Sequence, residues 1–198
     1  MTVRSTSISL YSEIARENAE KLASIEVQID ALEIRISKTS TPDETSELEF
    51  ELFSLYNLLG KYASIMIVFS AIAVEAYIYD YAARHLSDKF VQSYLDKLDL
   101  ISKWMIVPRL ITGKSLPHSG KWMMLLKALV KERNSIVHSK SKETPFDLKE
   151  AKDFYKKLNE RNASIPQKAR QAIELLNELA AELSNLDPEE TLWTESLK

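Results

Sequence analysis

Three side chains within six residues carry the functional groups needed to cleave RNA without a metal ion: Arg133, Asn134 and His138. An imidazole can take a proton from a 2′-hydroxyl or give one to the leaving oxygen, because it titrates near neutral pH. A guanidinium can neutralise the charge that builds on the phosphoryl oxygens. The amide of Asn134 can orient the imidazole or bind a phosphate oxygen. These three residues are therefore the candidate catalytic residues.

The segment that carries them, residues 121–139, is predicted to be one amphipathic α-helix with Arg133 near the middle of its apolar face. That face comprises Trp122, Leu125, Leu126, Leu129, Val130, Ile136 and Val137. Positions five apart in a regular helix lie about 140° apart, so Arg133 and His138 diverge. They converge if the helix unwinds just before His138, or if two copies of it meet at the cleft of a homodimer.

Glu75 is the candidate supporting residue. It is the only charge between Lys61 and Asp80, in a stretch that is apolar nearly all round. A lone carboxylate on such a face needs a cation, so we expect Glu75 to pair with Arg133, directly or through one water. The structural alternatives are an internal ion pair for Arg133 and, for His138, a surface imidazole that complements the C-terminus of its helix.

Positive charge is concentrated around the candidate catalytic residues. The chain has a net charge of −3, yet residues 103–142 carry nine basic groups and one acid, a net of +8. Such a footprint favours a phosphate-bearing ligand such as RNA, although a solvated helical face has the same composition. The predicted RNA-binding residues are Lys121, Lys127, Lys131, Lys140 and Lys142.

Composition excludes several other functions. The absence of cysteine rules out disulfides and thiolate catalysis, and it fits a cytoplasmic protein. The three histidines are scattered without a metal-ligand spacing, so we expect no metal and no other cofactor. The N-terminus lacks the apolar core of a signal peptide. The uncharged residues 62–74 are too few to span a bilayer, which indicates a buried core helix and no membrane partner.

The elements that must position these residues are predicted to be helices. Residues 7–38 repeat apolar positions at alternating spacings of four and three, and a matching seam runs from Leu48 to Ala76. A short loop with Pro42 separates the two seams, so they form a long antiparallel hairpin at the N-terminus. The fold class is therefore all-α, a helical bundle in one domain, 1–198, with residues 1–40 packed on the bundle.

The rest of the chain completes the predicted bundle. Residues 88–111 form one or two shorter helices, and residues 112–120 form a glycine-containing loop. Two amphipathic helices follow at 147–162 and 166–186, with Pro166 in the first turn of the second. The acidic tail, 187–198, is expected to be loosely ordered.

Three stretches together resemble the HEPN superfamily: residues 70–77 (SAIAVEAY), Lys103-Trp104, and residues 129–140 (LVKERNSIVHSK). The hallmark of these all-helical proteins is Arg-x4–6-His, often with a polar residue directly after the arginine, and Arg133, Asn134 and His138 match it position by position. Glu75 matches an acidic position on the central helix of similar bacterial proteins. The resemblance covers roughly residues 45–160.

The resemblance implies a dimer with a shared active-site cleft and, in many members, metal-independent endoribonuclease activity in toxin–antitoxin pairs, phage defence or RNA processing. For the toxin members it also implies an antitoxin protein as a partner. Other members are inactive or simply bind nucleotide or RNA. Two hypotheses follow: a dimeric ribonuclease of a defence or toxin–antitoxin system, and a non-catalytic helical module that binds RNA, nucleotide or a protein in the same groove.

Overall fold

The two heptad seams form the hairpin that their periodicity predicts. The computed structural model describes the backbone of residues 7–138 and 148–191, and the side chains of these residues except 148–162. Helix α1 spans Ile8–Lys38 and α2 spans Pro42–Leu86. Pro42 occupies the first turn of α2, where its missing N–H costs no helical hydrogen bond.

Side-chain pairs fix the direction of the hairpin. The ring of Tyr11, early in α1, lies 6.2 Å from the ring of Phe69, late in α2. Tyr56, early in α2, donates a 2.7 Å hydrogen bond to Glu33, late in α1. The helices are therefore antiparallel, and the α1 seam is buried between them at Ala15, Asn18, Leu22, Ile25, Ile29 and Leu32.

The second half of α2 is the centre of the bundle. It packs against α1 on one side and against three later helices on the others, so it is apolar nearly all round. One 18-residue window of α2 has a mean hydropathy of 1.6, and half of that window is buried inside the fold. By length and composition alone such a helix is able to cross a membrane, but a core helix has the same properties.

Shorter elements connect the hairpin to the helix of the candidate site. A single turn, α3 (Asp88–Phe90), leads into a π-helical turn at Val91–Leu95, and α4 follows at Leu100–Thr112. Gly113 ends α4 in the left-handed conformation, with φ at 74°, which glycine adopts at little cost. The loop 114–120 then leads to α5, Lys121–Val137.

The last helix, α6, is longer than predicted. It runs without a break through Leu148–Leu186, so the expectation of two helices separated before Pro166 is wrong. Proline inside a helix costs about 3 kcal/mol, through a lost hydrogen bond and a steric clash. Packing offsets this cost, because Pro166 is itself buried and Ala169, Ala172 and Leu176 follow it in the core. Among the described residues every regular element is a helix, which confirms the all-α bundle.

The start of the predicted tail is ordered rather than loose. Tyr81 donates a 2.7 Å hydrogen bond to Asp187, and the Arg84 guanidinium donates to Glu190 at 2.8 Å. The side chain of Glu190 is only 2 % exposed. Ion pairing to α2 therefore fixes residues 187–191 against the bundle, and residues 192–198 lie outside the described part of the chain.

Candidate functional site

Helix α5 is fixed in the bundle by its first turn. The Trp122 side chain is fully buried, and its indole N–H donates a 3.0 Å hydrogen bond to the Pro117 carbonyl. A Cβ at Gly120 would lie 2.6 Å from the Trp122 ring, so only glycine allows this close approach. The buried face continues through Met123, Leu125, Leu126 and Leu129. This end of α5 thus sets where its last two turns emerge from the core.

Arg133 lies at the edge of the packing face, not near its middle as predicted. Its side chain is 37 % exposed, and Val137, predicted to pack beside it, is 52 % exposed. The guanidinium donates a 3.1 Å hydrogen bond from Nη1 to Oδ1 of Asn134. Val130 and Ile136 still pack against the core, but Arg133 and Asn134 line a cavity beside these last turns of α5 and are accessible to a ligand.

Glu75 lies beside Arg133, but the two do not form a buried, hydrogen-bonded pair. Oε2 of Glu75 is 3.9 Å from Nη2 of Arg133, which is an ion-pair distance and too long for a hydrogen bond. The Glu75 side chain is 48 % exposed. Glu75 and Arg133 are therefore neighbours, as predicted. The expectation that Glu75 is a lone charge on a buried face is wrong, because α1, α4 and α5 leave this part of α2 open.

His138 is the residue that ends α5. It is exposed, and its backbone N–H still donates to the Asn134 carbonyl at 3.0 Å. The helix therefore does not unwind before His138, which removes one of the two routes by which Arg133 and His138 could converge. The end of a helix is also where a protonated histidine interacts favourably with the helix dipole, and this is the structural alternative given above for His138.

A cavity of about 240 Å³ opens beside Arg133 and Asn134 and does not include His138. Glu75 lines it from α2, and Asp96, Asp99 and Lys103 line it from the α3–α4 region. A second cavity, of about 500 Å³, shares Glu75, Asp96 and Lys103 with the first and extends towards α1. The sequence prediction thus identified one wall of a larger cleft.

Lys103 lines both cavities, and the sequence analysis did not select it as a site residue. Its side chain is 7 % exposed, and Nζ lies 3.9 Å from Glu75 and 3.9 Å from Asp96. A sequence signal was available: Lys103 is the one charge among the residues of α4 that share a helical face with Leu100 and Val107. Like Arg133 in α5, Lys103 is a single charge on a largely apolar helix face.

The predicted RNA-binding lysines differ in their surroundings. Lys127 and Lys131 are exposed on α5. Lys121 instead pairs with Glu174 and Glu178 of α6, the latter at 2.8 Å, and these hydrogen bonds raise its pKa well above the usual value. Its charge is compensated within the fold, so its assignment to RNA binding is not supported by the geometry. Lys140 and Lys142 lie outside the described residues.

The chemistry available here is proton transfer and charge stabilisation. Among the side chains that the structure describes, no group of three or more histidine, aspartate or glutamate residues is arranged to hold a metal ion. Comparison with protein-family models, with curated proteins and with solved structures gave no match. The similarity to the HEPN superfamily therefore rests on the residues themselves.

Proposed function

We propose that the chain is a metal-independent endoribonuclease of the HEPN type, acting in the cytoplasm in a defence or toxin–antitoxin system. The observation that carries the proposal is the accessibility of both motif residues. Arg133 and Asn134 line a cavity, and His138 is exposed at the end of the same helix. The partners that we propose are RNA, a second copy of the chain and, for a toxin, an antitoxin protein.

The proposed reaction is an internal transesterification. His138 removes the proton from a 2′-hydroxyl, and the oxygen attacks the adjacent phosphorus. The bond to the 5′-oxygen breaks, and this oxygen leaves with a proton from water or from a second imidazole. Arg133 neutralises the additional negative charge on the phosphoryl oxygens. The products are a 2′,3′-cyclic phosphate and a 5′-hydroxyl end.

One observation favours the alternative, a module that binds RNA, nucleotide or a protein without cleaving it. His138 does not line the cavity of Arg133, and Glu75 already lies at an ion-pair distance from the guanidinium. A single chain would then bind a phosphate at Arg133 with no base or acid beside it. Catalysis therefore requires that a second copy bring its imidazole to this cavity.

The decisive experiment is cleavage of single-stranded RNA in EDTA by His138→Ala, with His118→Ala as the matched control. His118 is an exposed histidine in the loop before α5. We expect His138→Ala to lose a factor of roughly 10² to 10⁴ and His118→Ala to cleave like wild type. If wild type binds RNA but His138→Ala cleaves equally well, the cleavage is contamination and the binding-module hypothesis is the better one.

Arg133→Ala supplies a second test. Because the Arg133 side chain is partly exposed, the substitution should leave the fold intact and reduce cleavage through lost charge stabilisation. Binding is tested separately with Lys127→Gln and Lys131→Gln, which should weaken RNA affinity and reduce its salt dependence without moving the pH optimum. Lys121→Gln is the control, since its charge is already paired with α6 and it should leave the salt dependence unchanged.

A further inference from the structure

The ammonium group of Lys103 lies at the junction of the two cavities. Both the cavity of about 500 Å³ and that of about 240 Å³ are lined by Lys103, Glu75 and Asp96. The lysine side chain is more than nine-tenths buried, whereas the two carboxylate side chains are 48 % and 58 % exposed. A lysine with a buried side chain thus presents its ammonium group where the two cavities meet, and the same two carboxylates line both cavities.

The next residue along the chain fixes the position of Lys103. Trp104 is fully buried, and its ring stacks on Tyr77 of α2 with centroids 5.9 Å apart. At the start of α4, Asp99 accepts a 3.0 Å hydrogen bond from the backbone N–H of Ser102 and so caps the helix. The backbone that carries Lys103 is therefore held rigidly at both of these points.

The ammonium group of Lys103 is not hydrogen bonded to either of the carboxylates beside it. Nζ lies 3.9 Å from Oε1 of Glu75 and 3.9 Å from Oδ1 of Asp96, and it forms no hydrogen bond to any described residue. An ammonium has three N–H donors, and a buried one is costly unless acceptors satisfy them. An oxygen that accepts from Lys103 and lies next to these carboxylates is favourable only if it can also donate a hydrogen to one of them.

This requirement selects a hydroxyl over a phosphate oxygen. A hydroxyl oxygen accepts from Lys103, and its hydrogen is donated to Glu75 or Asp96. A phosphate oxygen has no hydrogen to donate and would be repelled by the two carboxylates. Arg133 lies 3.9 Å from the other carboxylate oxygen of Glu75 and is hydrogen bonded to the Asn134 amide. It thus has one carboxylate neighbour where Lys103 has two, so a phosphate is repelled less at Arg133. The cleft therefore separates a hydroxyl position from a phosphate position.

The larger cavity supplies the remaining part of a nucleotide site. Away from the charged junction it is lined by the apolar and aromatic residues Ile8, Tyr11, Ile72, Ala76 and Tyr79, together with the polar residues Ser7 and Asp80. Its volume of about 500 Å³ lies within the range of roughly 300–1,000 Å³ that is typical of small-molecule sites. Aliphatic and aromatic side chains of this kind bind the face of an unstacked base.

We infer that Lys103, Glu75 and Asp96 form a ribose subsite. In the bound state the 2′-hydroxyl lies between the ammonium and a carboxylate, and its hydrogen bond to that carboxylate breaks when the imidazole of the second copy removes the proton. The base occupies the larger cavity, and the adjacent phosphate lies at Arg133 and Asn134. The inference rests on the proposed function for the identity of the ligand as RNA. It adds that RNA is distinguished from DNA in binding, before any bond is cleaved, since the 2′-hydroxyl is absent from DNA.

The test measures binding and not cleavage. In a His138→Ala background with EDTA, the affinity of a short single-stranded RNA is compared with that of the same sequence in deoxyribose form. Adenosine 3′-monophosphate and its 2′-deoxy analogue form the second pair of ligands. We expect the ribose form to bind about tenfold more tightly or better in at least one pair, since the hydroxyl meets charged groups. Preference in the mononucleotide pair alone identifies the ligand as a free ribonucleotide, and preference in the oligonucleotide pair identifies it as RNA.

Two variants assign the preference to the proposed residues. Lys103→Met retains the apolar stem and removes the ammonium, and Asp96→Asn retains the shape and removes a charge. Both substitutions should reduce the ribose preference to about twofold or less. Circular dichroism and thermal unfolding show whether each variant is folded. Lys127→Met is the matched control: it should weaken both members of a pair equally and leave their ratio unchanged.

The outcomes separate this inference from the proposed function. A ribose preference that is lost in Lys103→Met or Asp96→Asn supports the subsite even if wild type does not cleave RNA. Equal binding of ribose and deoxyribose ligands, or a preference that persists in both variants, overturns it even if wild type is a ribonuclease. Lys103 would then be a buried structural cation solvated by water.

Discussion

Arg133 and Glu75 face each other across the α2–α5 contact at 3.9 Å, close enough to attract but too far apart to form a hydrogen bond. Both side chains are more than a third exposed, so water screens the pair. The relationship is that of two groups that share a cleft, and the guanidinium keeps donors available for a ligand. This geometry changes what a substitution at Glu75 should do.

Glu75→Ala should cost little stability. Removing the partner of a buried arginine would lower the free energy of unfolding by several kcal/mol, whereas an exposed ion pair contributes only about 0–1 kcal/mol. Lys103, the other cation beside Glu75, still has Asp96 as a neighbour. We therefore expect the free energy of unfolding in urea to fall by about 1 kcal/mol or less. A loss of 3 kcal/mol or more would mean that the pair is buried in solution.

Glu190→Gln should cost more, although residue 190 lies in the predicted tail. Its carboxylate accepts from Arg84 at 2.8 Å and is almost fully buried, so the substitution replaces a charge-assisted hydrogen bond with a weaker one. We expect a loss of about 2–3 kcal/mol in urea unfolding. Glu189→Gln, at an exposed neighbour, is the control and should lie within about 0.5 kcal/mol of wild type. Equal effects of the two variants would show that the tail does not dock.

The protein should be a homodimer. Because α5 stays regular up to His138, Arg133 and His138 of one chain remain on different sides of the helix, and a second copy is needed to bring them together. Light scattering should give twice the 22.7 kDa chain mass. A mass of one chain at every accessible concentration would leave the proposed cleft without its second half.

The start of α4 should contribute a pH-dependent term to stability. Hydrogen bonds from Ser102, side chain first and then backbone, lower the pKa of Asp99. A lowered pKa means that the stabilisation is present above the unfolded value near 3.9 and is lost as pH falls through the folded value. Asp99→Ala should therefore cost about 1 kcal/mol at pH 7. The difference from wild type should shrink below about pH 4. An unchanged difference at pH 2 would contradict the capping role.

Local periodicity in the sequence was sufficient to predict the hairpin and the helix of the candidate site. The seams of α1 and α2 recur every three to four residues, so the buried faces follow from helical geometry whatever packs against them. The choice of Arg133, Asn134 and His138 as candidate catalytic residues likewise used only residue type and spacing, and it stays a prediction. These features depend on neighbours within a few turns, which a single sequence displays.

Only the tertiary structure decided how these parts combine. Lys103 joins the site because Trp104 packs on α2, and Glu190 is ordered because Arg84 lies more than a hundred residues earlier in the chain. The continuity of α6 through Pro166 likewise depends on packing that offsets the lost hydrogen bond. In each case the deciding energy comes from contacts between distant segments, and no local pattern of charge or hydrophobicity records which segments will meet.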